Sequence, residues 1–171
     1  MVRLRENFTF RKKLRCGRVK FIALVFESLE TNLYDLLLES EYLCPKTHIK
    51  KCHGLSLDFV RIIAWQCMLA LCLLSMPNVN IIHCDLKPEN IMLKERGKSG
   101  IKLIDFGNAC FSNKKMYKYI QSRYYRAPEV ILELPYSTPI DCWSLGCILY
   151  ELHFGGDPLF KSSNSLAGDF A

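Results

Sequence analysis

The sequence lacks the long uninterrupted apolar run of a membrane-spanning helix, and no secretory signal opens it. Its longest apolar stretch, Ile62–Met76, contains Gln66 and is shorter than the roughly 18 to 20 residues that cross a bilayer. We therefore predict a buried core helix here and no membrane partner. We expect the protein in the cytoplasm or the nucleus.

A strong charge of one sign is also missing, because 23 Lys and Arg stand against 17 Asp and Glu, for a net charge of +6. This balance slightly favours phosphates or acidic surfaces as partners. No nucleic-acid-binding motif occurs, so no nucleic acid partner is predicted. The nine cysteines indicate reduced thiols rather than disulfides, since four of them fall in apolar stretches: Cys67, Cys72, Cys142 and Cys147.

One polar loop, predicted from Glu41 to Gly54, contains thiol and imidazole groups of the kind that bind zinc. They are Cys44, His48, Cys52 and His53. Their spacing matches neither Cys-x-x-Cys pairs nor the usual spacing of zinc-binding histidines. A solvated loop without metal is the favoured interpretation, and zinc is the alternative.

The local patterns before residue 80 predict two strands and two helices. The strands are Phe8–Arg11 and Phe21–Glu27, with a basic turn at Gly17 between them. A helix over Glu30–Leu38 has Thr31 or Asn32 as its cap, and a long helix begins at Ser56 and continues to about Ser75.

The strongest functional signal is the run from His83 to Gly107. It reads His-Cys-Asp-Leu-Lys-Pro-Glu-Asn over 83–90 and Asp-Phe-Gly over 105–107. Apolar stretches at Ile91–Lys94 and Ile101–Ile104, with a glycine-containing turn between them, predict an antiparallel hairpin. The hairpin would bring Asn90, at the start of its first strand, beside Asp105, at the end of its second.

An amide oxygen and a carboxylate placed in this way are suitable ligands for Mg²⁺ with a bound nucleotide phosphate. Asp85 is positioned to accept the proton of an attacking hydroxyl, and Lys87 to offset charge on a transferred phosphoryl group. With Ala-Pro-Glu at 127–129, the three motifs follow the order typical of protein kinases. The alternative is that Asp85, Asn90 and Asp105 only cap turns.

Two tyrosines and two arginines precede Ala-Pro-Glu. A phosphate on Tyr119 would lie within reach of Arg123 and Arg126, whose forked guanidinium groups suit phosphate. Tyr117 is the second candidate for phosphorylation. Alternatively, these residues are ordinary loop aromatics and charges.

Six segments of the chain together resemble the DYRK family, the dual-specificity tyrosine-regulated branch of the CMGC protein kinases. The segments are residues 6–11, 32–36, 81–90, 99–107, 117–132 and 139–149. Cysteine at position 84 and the run Tyr-Lys-Tyr-Ile-Gln-Ser-Arg at 117–123 are similar to this family in particular. The resemblance covers roughly residues 2 to 160, with gaps.

The resemblance implies a role for each residue that matches a family motif. Asp85 would be the catalytic base and Lys87 would meet the phosphoryl group. Asn90 and Asp105 would hold Mg²⁺. Ser122 would tie the activation segment, which lies between Asp105 and Glu129, to Asp85. Tyr119 would be the activating tyrosine, which in the family is phosphorylated by the kinase itself.

The resemblance also implies where the adenine ring of ATP binds. Phe26 would guard the pocket, Glu27 to Leu29 would form the hinge that hydrogen-bonds adenine, and Met92 would be the apolar floor beneath the base. Asp141 and Trp143 would form a buried anchor that organises the catalytic loop, residues 83–90.

The expected fold is α+β, a partial protein-kinase-like fold over residues 1–171. Residues 1–29 would be a remnant of the small lobe with the hinge, 30–160 the large lobe and 161–171 a divergent tail. No Gly-x-Gly-x-x-Gly occurs in the sequence. The family's glycine-rich loop, strand lysine and pairing helix glutamate are expected to precede the matched region, and further helices to follow it.

Two functions stay open on the sequence alone. The first is a serine/threonine or dual-specificity protein kinase, with ATP and Mg²⁺ as cofactors and proteins as substrates. The second is a catalytically impaired kinase-derived fragment that serves as a binding or scaffold module. Nothing in the sequence predicts an oligomeric state.

Overall fold

A computed structural model describes residues 1–14, 17–42, 54–114 and 117–161 of the chain. Its strands and helices confirm the expected α+β class. The strands are β1 (Leu4–Leu14), β2 (Gly17–Phe26), β3 (Ile81–Ile82), β4 (Ile91–Leu93), β5 (Ile101–Leu103) and β6 (Cys110–Phe111). The helices are α1 (Leu33–Tyr42), α2 (Leu57–Ser75), α3 (Pro128–Ile131) and α4 (Pro139–Phe154). Short 3₁₀ turns cover Pro88–Asn90 and Arg123–Tyr125.

The first two strands form an antiparallel ribbon that is longer than its apolar pattern predicts. Phe10 lies opposite Phe21, and their rings stack at 5.2 Å between centroids. The ladder continues beyond this apolar pair, through Lys13 opposite Arg18, to Leu14 opposite Gly17. Backbone hydrogen bonds need no apolar side chain, so strand pairing extends into the basic segment.

After the ribbon, the chain runs beside β4 and then enters α1. The N–H of Glu30 donates to the carbonyl of Leu93 at 3.0 Å, and the N–H of Leu93 donates to that of Thr31 at 2.8 Å. Helix α1 begins at Leu33, three residues after the predicted Glu30, because Asn32 is its cap. The Oδ1 atom of Asn32 accepts from the N–H of Asp35 at 2.8 Å.

The long helix α2 is confirmed from Leu57 to Ser75, with Ser56 accepting a hydrogen bond from the N–H of Phe59. Its buried residues recur at helical spacing: Val60, Ile63, Cys67, Leu71 and Leu74. They form one core with the buried Leu145, Ile148 and Leu152 of α4. By length and composition alone α2 could also cross a membrane. Its packed stripe favours a core helix, and the expected absence of a membrane partner stays a prediction.

A second, smaller core lies between the catalytic loop and the segment that leads into α4. It consists of Ile82, Cys84, Ala127, Val130, Tyr136 and Ile140. Because Cys84 and Ala127 belong to the two functional motifs, this cluster holds the motifs against each other. The candidate site is therefore supported by a cluster of buried, mostly apolar side chains.

Candidate active site

The predicted hairpin is confirmed and carries the two proposed metal ligands at one end. Ile91 pairs with Leu103 and Leu93 with Ile101. The N–H of Ile104 donates to the carbonyl of Asn90 at 3.0 Å. The backbone of Asn90 is thus bonded to the residue before Asp105.

The backbone at Asp105 is left-handed, with φ of 58°, which is uncommon for a residue other than glycine. Its Oδ1 atom accepts a hydrogen bond of 3.2 Å from the N–H of Gly107. A Cβ at Gly107 would lie only 3.0 Å from that oxygen. Glycine at 107 therefore lets the chain turn tightly around the Asp105 carboxylate, which stays exposed.

Asp141, at the start of α4, fixes the backbone of the catalytic loop. Its Oδ2 atom accepts from the N–H of His83 at 2.7 Å, and its Oδ1 atom from the N–H of Cys84 at 3.1 Å. Burial raises the pKa of this carboxyl, while the two backbone hydrogen bonds act in the opposite direction. Cys84 itself has φ of 67°, so the anchor also holds a strained residue.

The prediction that Trp143 is buried together with Asp141 is wrong. Its side chain is 39% exposed and stacks on Phe160, with ring centroids 5.5 Å apart. Positions 141 and 143 are two residues apart, which rotates them by about 200° around a helix. When Asp141 points into the protein, Trp143 therefore points away from it.

His83 connects the catalytic loop to the hairpin, a role that the sequence analysis did not assign. The N–H of Asp85 donates to its Nδ1 atom at 3.3 Å, so the ring proton lies on Nε2, which donates to the carbonyl of Ile104 at 2.9 Å. The ring also packs against Phe106, with centroids 4.7 Å apart. The signal for this role was the histidine of the His-x-Asp motif.

The Asp85 carboxylate lies at the centre of the site and is buried. Its Oδ1 atom accepts from the hydroxyl of Ser122 at 2.6 Å, and its Oδ2 atom lies 3.2 Å from Nζ of Lys87. Asn108 also donates to Oδ2, at 3.4 Å. This carboxylate is thus oriented by donors from both sides and can accept a further proton from a bound hydroxyl.

The side chain of Asn90 points toward the same loop. Its Nδ2 atom donates to the carbonyl of Asp85 at 2.8 Å, so its Oδ1 atom is the one suited to a metal. Together with the exposed Asp105 carboxylate, it supplies the hard oxygen donors that Mg²⁺ prefers. The residues present therefore fit a magnesium ion with a nucleotide.

The residues proposed to surround adenine lie along one path. Phe26 ends β2 on the exposed surface, and Glu27 follows it directly. The half-buried Leu29 leads to Asn32, which pairs with Met92 on β4. The structure thus brings the hinge segment alongside the strand that carries Met92, and the adenine roles stay predictions.

The activation segment distinguishes its two tyrosines. Tyr119 is 72% exposed, and the guanidinium carbon of Arg126 lies 3.9 Å from the centre of its ring. Arg126 also donates to the carbonyls of Ile120 and Gln121, both at 2.8 Å. Tyr117, by contrast, contributes its backbone carbonyl, which accepts from the hydroxyl of Tyr136 at 2.6 Å.

Gln121 is a positioning residue that sequence reasoning missed. It is buried with φ of 66°, and its Nε2 atom donates to the carbonyl of Ile140 and to the hydroxyl of Ser144. Its Oε1 atom accepts from the N–H of Ala127 at 2.9 Å, and its own N–H donates to the carbonyl of Cys84 at 3.0 Å. Gln121 thus joins the activation segment, the catalytic loop and α4.

The proposed zinc ligands Cys44, His48, Cys52 and His53 lie outside the described residues. Within the described ranges, no group of three or more His, Cys, Asp or Glu side chains could hold a metal ion.

Cys84 and Cys110 are close, with their sulfur atoms 3.7 Å apart, and both are free thiols. Burial raises the pKa of the Cys84 thiol.

Comparisons with known proteins identify the family of this chain. The protein kinase domain family matches residues 7–169, which include most of the tail that the sequence analysis treated as divergent. The chain belongs to the protein kinase family. It is also 48% identical over 147 residues to dual specificity tyrosine-phosphorylation-regulated kinase 2 of Drosophila melanogaster.

That match confirms the resemblance to the DYRK branch. It covers 86% of this chain and 19% of the relative. The chain therefore spans about a fifth of the length of the curated relative that it matches.

Proposed function

We propose that this chain transfers the γ-phosphoryl group of ATP to serine or threonine hydroxyls of proteins. The observation that carries the proposal is the Asp85 carboxylate, which is buried and oriented by Ser122 and Lys87. The backbone carbonyl of the same residue accepts a hydrogen bond from the side chain of Asn90. Asp85 would orient the substrate hydroxyl and accept its proton. Mg-ATP supplies the phosphoryl group when bound.

The other residues divide the work of binding. Asn90 and Asp105 would hold the magnesium ion, and Lys87 would offset negative charge on the transferred group. The hinge from Glu27 to Leu29, with Phe26 and Met92, would hold adenine. Tyr119 would be phosphorylated by the protein itself. We place the protein in the cytoplasm or nucleus, with proteins and nucleotide as its partners.

The primary test is nucleotide binding followed by phosphoryl transfer. Mg-ATP should bind the wild-type chain, and Asp105→Asn should weaken that binding because a metal-binding carboxylate is lost. Asp58→Asn is the matched control, since Asp58 lies on the exposed first turn of α2. Equal titrations for wild type and Asp105→Asn would refute the assigned metal site.

Transfer to a basic protein substrate, followed by mass spectrometry, separates the two candidate functions. Transfer that is lost in Asp85→Asn supports a kinase. Mg-ATP binding without any transfer would instead favour the kinase-derived binding or scaffold module.

Mapping of phosphotyrosine tests the assignment of Tyr119. Phosphate is expected on Tyr119, where it would gain charge-assisted hydrogen bonds from Arg126 in place of the present ring contact. Tyr119→Phe should therefore lower the melting temperature of the phosphorylated protein more than Tyr117→Phe does. Phosphate found only on Tyr117 would contradict this assignment.

A further inference from the structure

Glu27 joins three parts of the molecule at the end of the ribbon. Its carboxylate accepts from the N–H of Arg3 at 2.5 Å and forms an ion pair with Nζ of Lys102. Its own N–H donates to the carbonyl of Arg3 at 3.0 Å. The beginning of β1, the hinge and β5 therefore meet at this one side chain.

Lys102 lies on the strand that leads to the metal site. It is the middle residue of β5, opposite Met92, and it precedes Asp105 by three residues. Next to it, the carbonyl of Leu103 accepts from the N–H of Val2 at 3.0 Å. Two consecutive residues of β5 are thus attached to other segments, Lys102 to the hinge and Leu103 to the N-terminal segment.

The ion pair is more sheltered from water than the Glu95–Lys98 pair in the turn between β4 and β5. The side chains of Lys102 and Glu27 are 20% and 17% exposed, whereas those of Lys98 and Glu95 are 68% and 61% exposed. The pKa of Glu27 is lowered mainly by its hydrogen bond from Lys102 and next by its hydrogen bond from the N–H of Arg3. A sheltered pair is screened less by salt and holds its geometry better than an exposed one.

We propose that the Glu27–Lys102 ion pair is a positioning element of the nucleotide site, which holds the hinge at a set distance from strand β5, which leads to Asp105. The inference rests on the proposed function, in which adenine binds the hinge and magnesium binds Asp105. A nucleotide that contacts both ends binds well only if their separation matches its length, because a misplaced end loses its contacts.

This role distinguishes two probes that share a polyphosphate group. Mg-ATP should contact the hinge and the metal site together. Mg-tripolyphosphate has no base, so it should contact the metal site alone. Loss of the ion pair should therefore weaken Mg-ATP and leave Mg-tripolyphosphate unchanged, whereas general damage to the fold would weaken both.

The experiment measures both dissociation constants by chemical-shift titration for Glu27→Gln, Lys102→Met and the double variant. Each single variant should weaken Mg-ATP about fivefold, a typical effect for one modest ion pair. The double variant should be no weaker than either single variant, because both remove one shared contact. Lys102→Arg keeps the charge and should retain wild-type affinity, and Glu95→Gln, in the exposed pair, is the matched control.

Three results would overturn the inference while leaving the proposed function intact: unchanged Mg-ATP affinity in the single variants, equal losses for the two probes, or additive losses in the double variant. Failure of Lys102→Arg to retain affinity would count against it as well. If wild-type protein binds neither probe, the proposed function fails and the inference fails with it.

Discussion

The ribbon of β1 and β2 and the catalytic loop are held by different interactions. In the ribbon, no side chain that the structure describes is buried, and the strands are joined by a regular backbone ladder. In the loop, every residue from Ile82 to Leu86 is buried. The N–H groups of His83 and Cys84 are bonded to the side chain of Asp141, and that of Asp85 to the ring of His83. In the ribbon, backbone N–H groups are thus hydrogen-bonded to the partner strand, whereas in the catalytic loop they are hydrogen-bonded to side chains.

This difference shows which region depends on distant residues. A two-stranded ribbon with little burial is marginal by itself, yet its pairing needs only its own two strands. The catalytic loop has no strand partner for its central residues and depends on a carboxylate 58 positions away. Substitutions that remove buried side chains should therefore damage the loop far more than the ribbon.

The largest effect is expected for Asp141→Ala. It leaves the buried N–H groups of His83 and Cys84 without their acceptor, so the free energy of unfolding should fall by about 4 kcal/mol. Urea unfolding measures the loss. Asp58→Ala, also in the first turn of a helix but exposed, is the control and should change stability little. Similar losses for both aspartates would refute the anchor.

The next largest effect is expected when the same substitution, Ile→Ala, is made in the helical core and on the ribbon. Ile148→Ala, in the core between α2 and α4, should cost about 3 kcal/mol because it opens a cavity. Ile22→Ala, on the ribbon where the side chain is 68% exposed, should cost about 0.5 kcal/mol or less. A large loss at Ile22 would show that the ribbon is packed against something in solution and would break the comparison.

The smallest effect concerns a buried carboxyl beneath the activation segment. The hydroxyl of Tyr125 donates to Oε2 of Glu151 at 2.7 Å. Burial raises the pKa of Glu151 from its ordinary 4.5, and this hydrogen bond opposes the rise. The folded protein therefore holds the proton more tightly than the unfolded chain, so this group's contribution to stability falls as pH rises above about 4.5.

Glu151→Gln should remove that fall, because an amide keeps the acceptor for Tyr125 and carries no charge. Thermal melting between pH 4.5 and 7 should show the variant gaining stability relative to wild type. Tyr125→Phe should have the opposite effect, since it removes the hydrogen bond that favours the ionised form. If the difference between wild type and Glu151→Gln does not change with pH, the assignment of this group is wrong.

Much of the local structure could be predicted because short-range rules decide it. Helix α2 starts at its cap Ser56, where its beginning was predicted, and Asn32 was one of two caps proposed for α1. Glycines at the hairpin turn allow β4 to pair with β5. The expected burial of Trp143 failed, since its motif gave no information about which face of α4 meets the core.

The sequence by itself determined the α+β class, the hairpin and the order of the kinase motifs, because turn residues, caps and apolar spacing act over a few positions. Only the tertiary structure decided that Asp141 holds the catalytic loop, that Gln121 joins three segments, and that Glu27 pairs with Lys102 across 75 positions. Such contacts depend on how distant segments pack. The energy of a buried polar group depends on which partner that packing delivers.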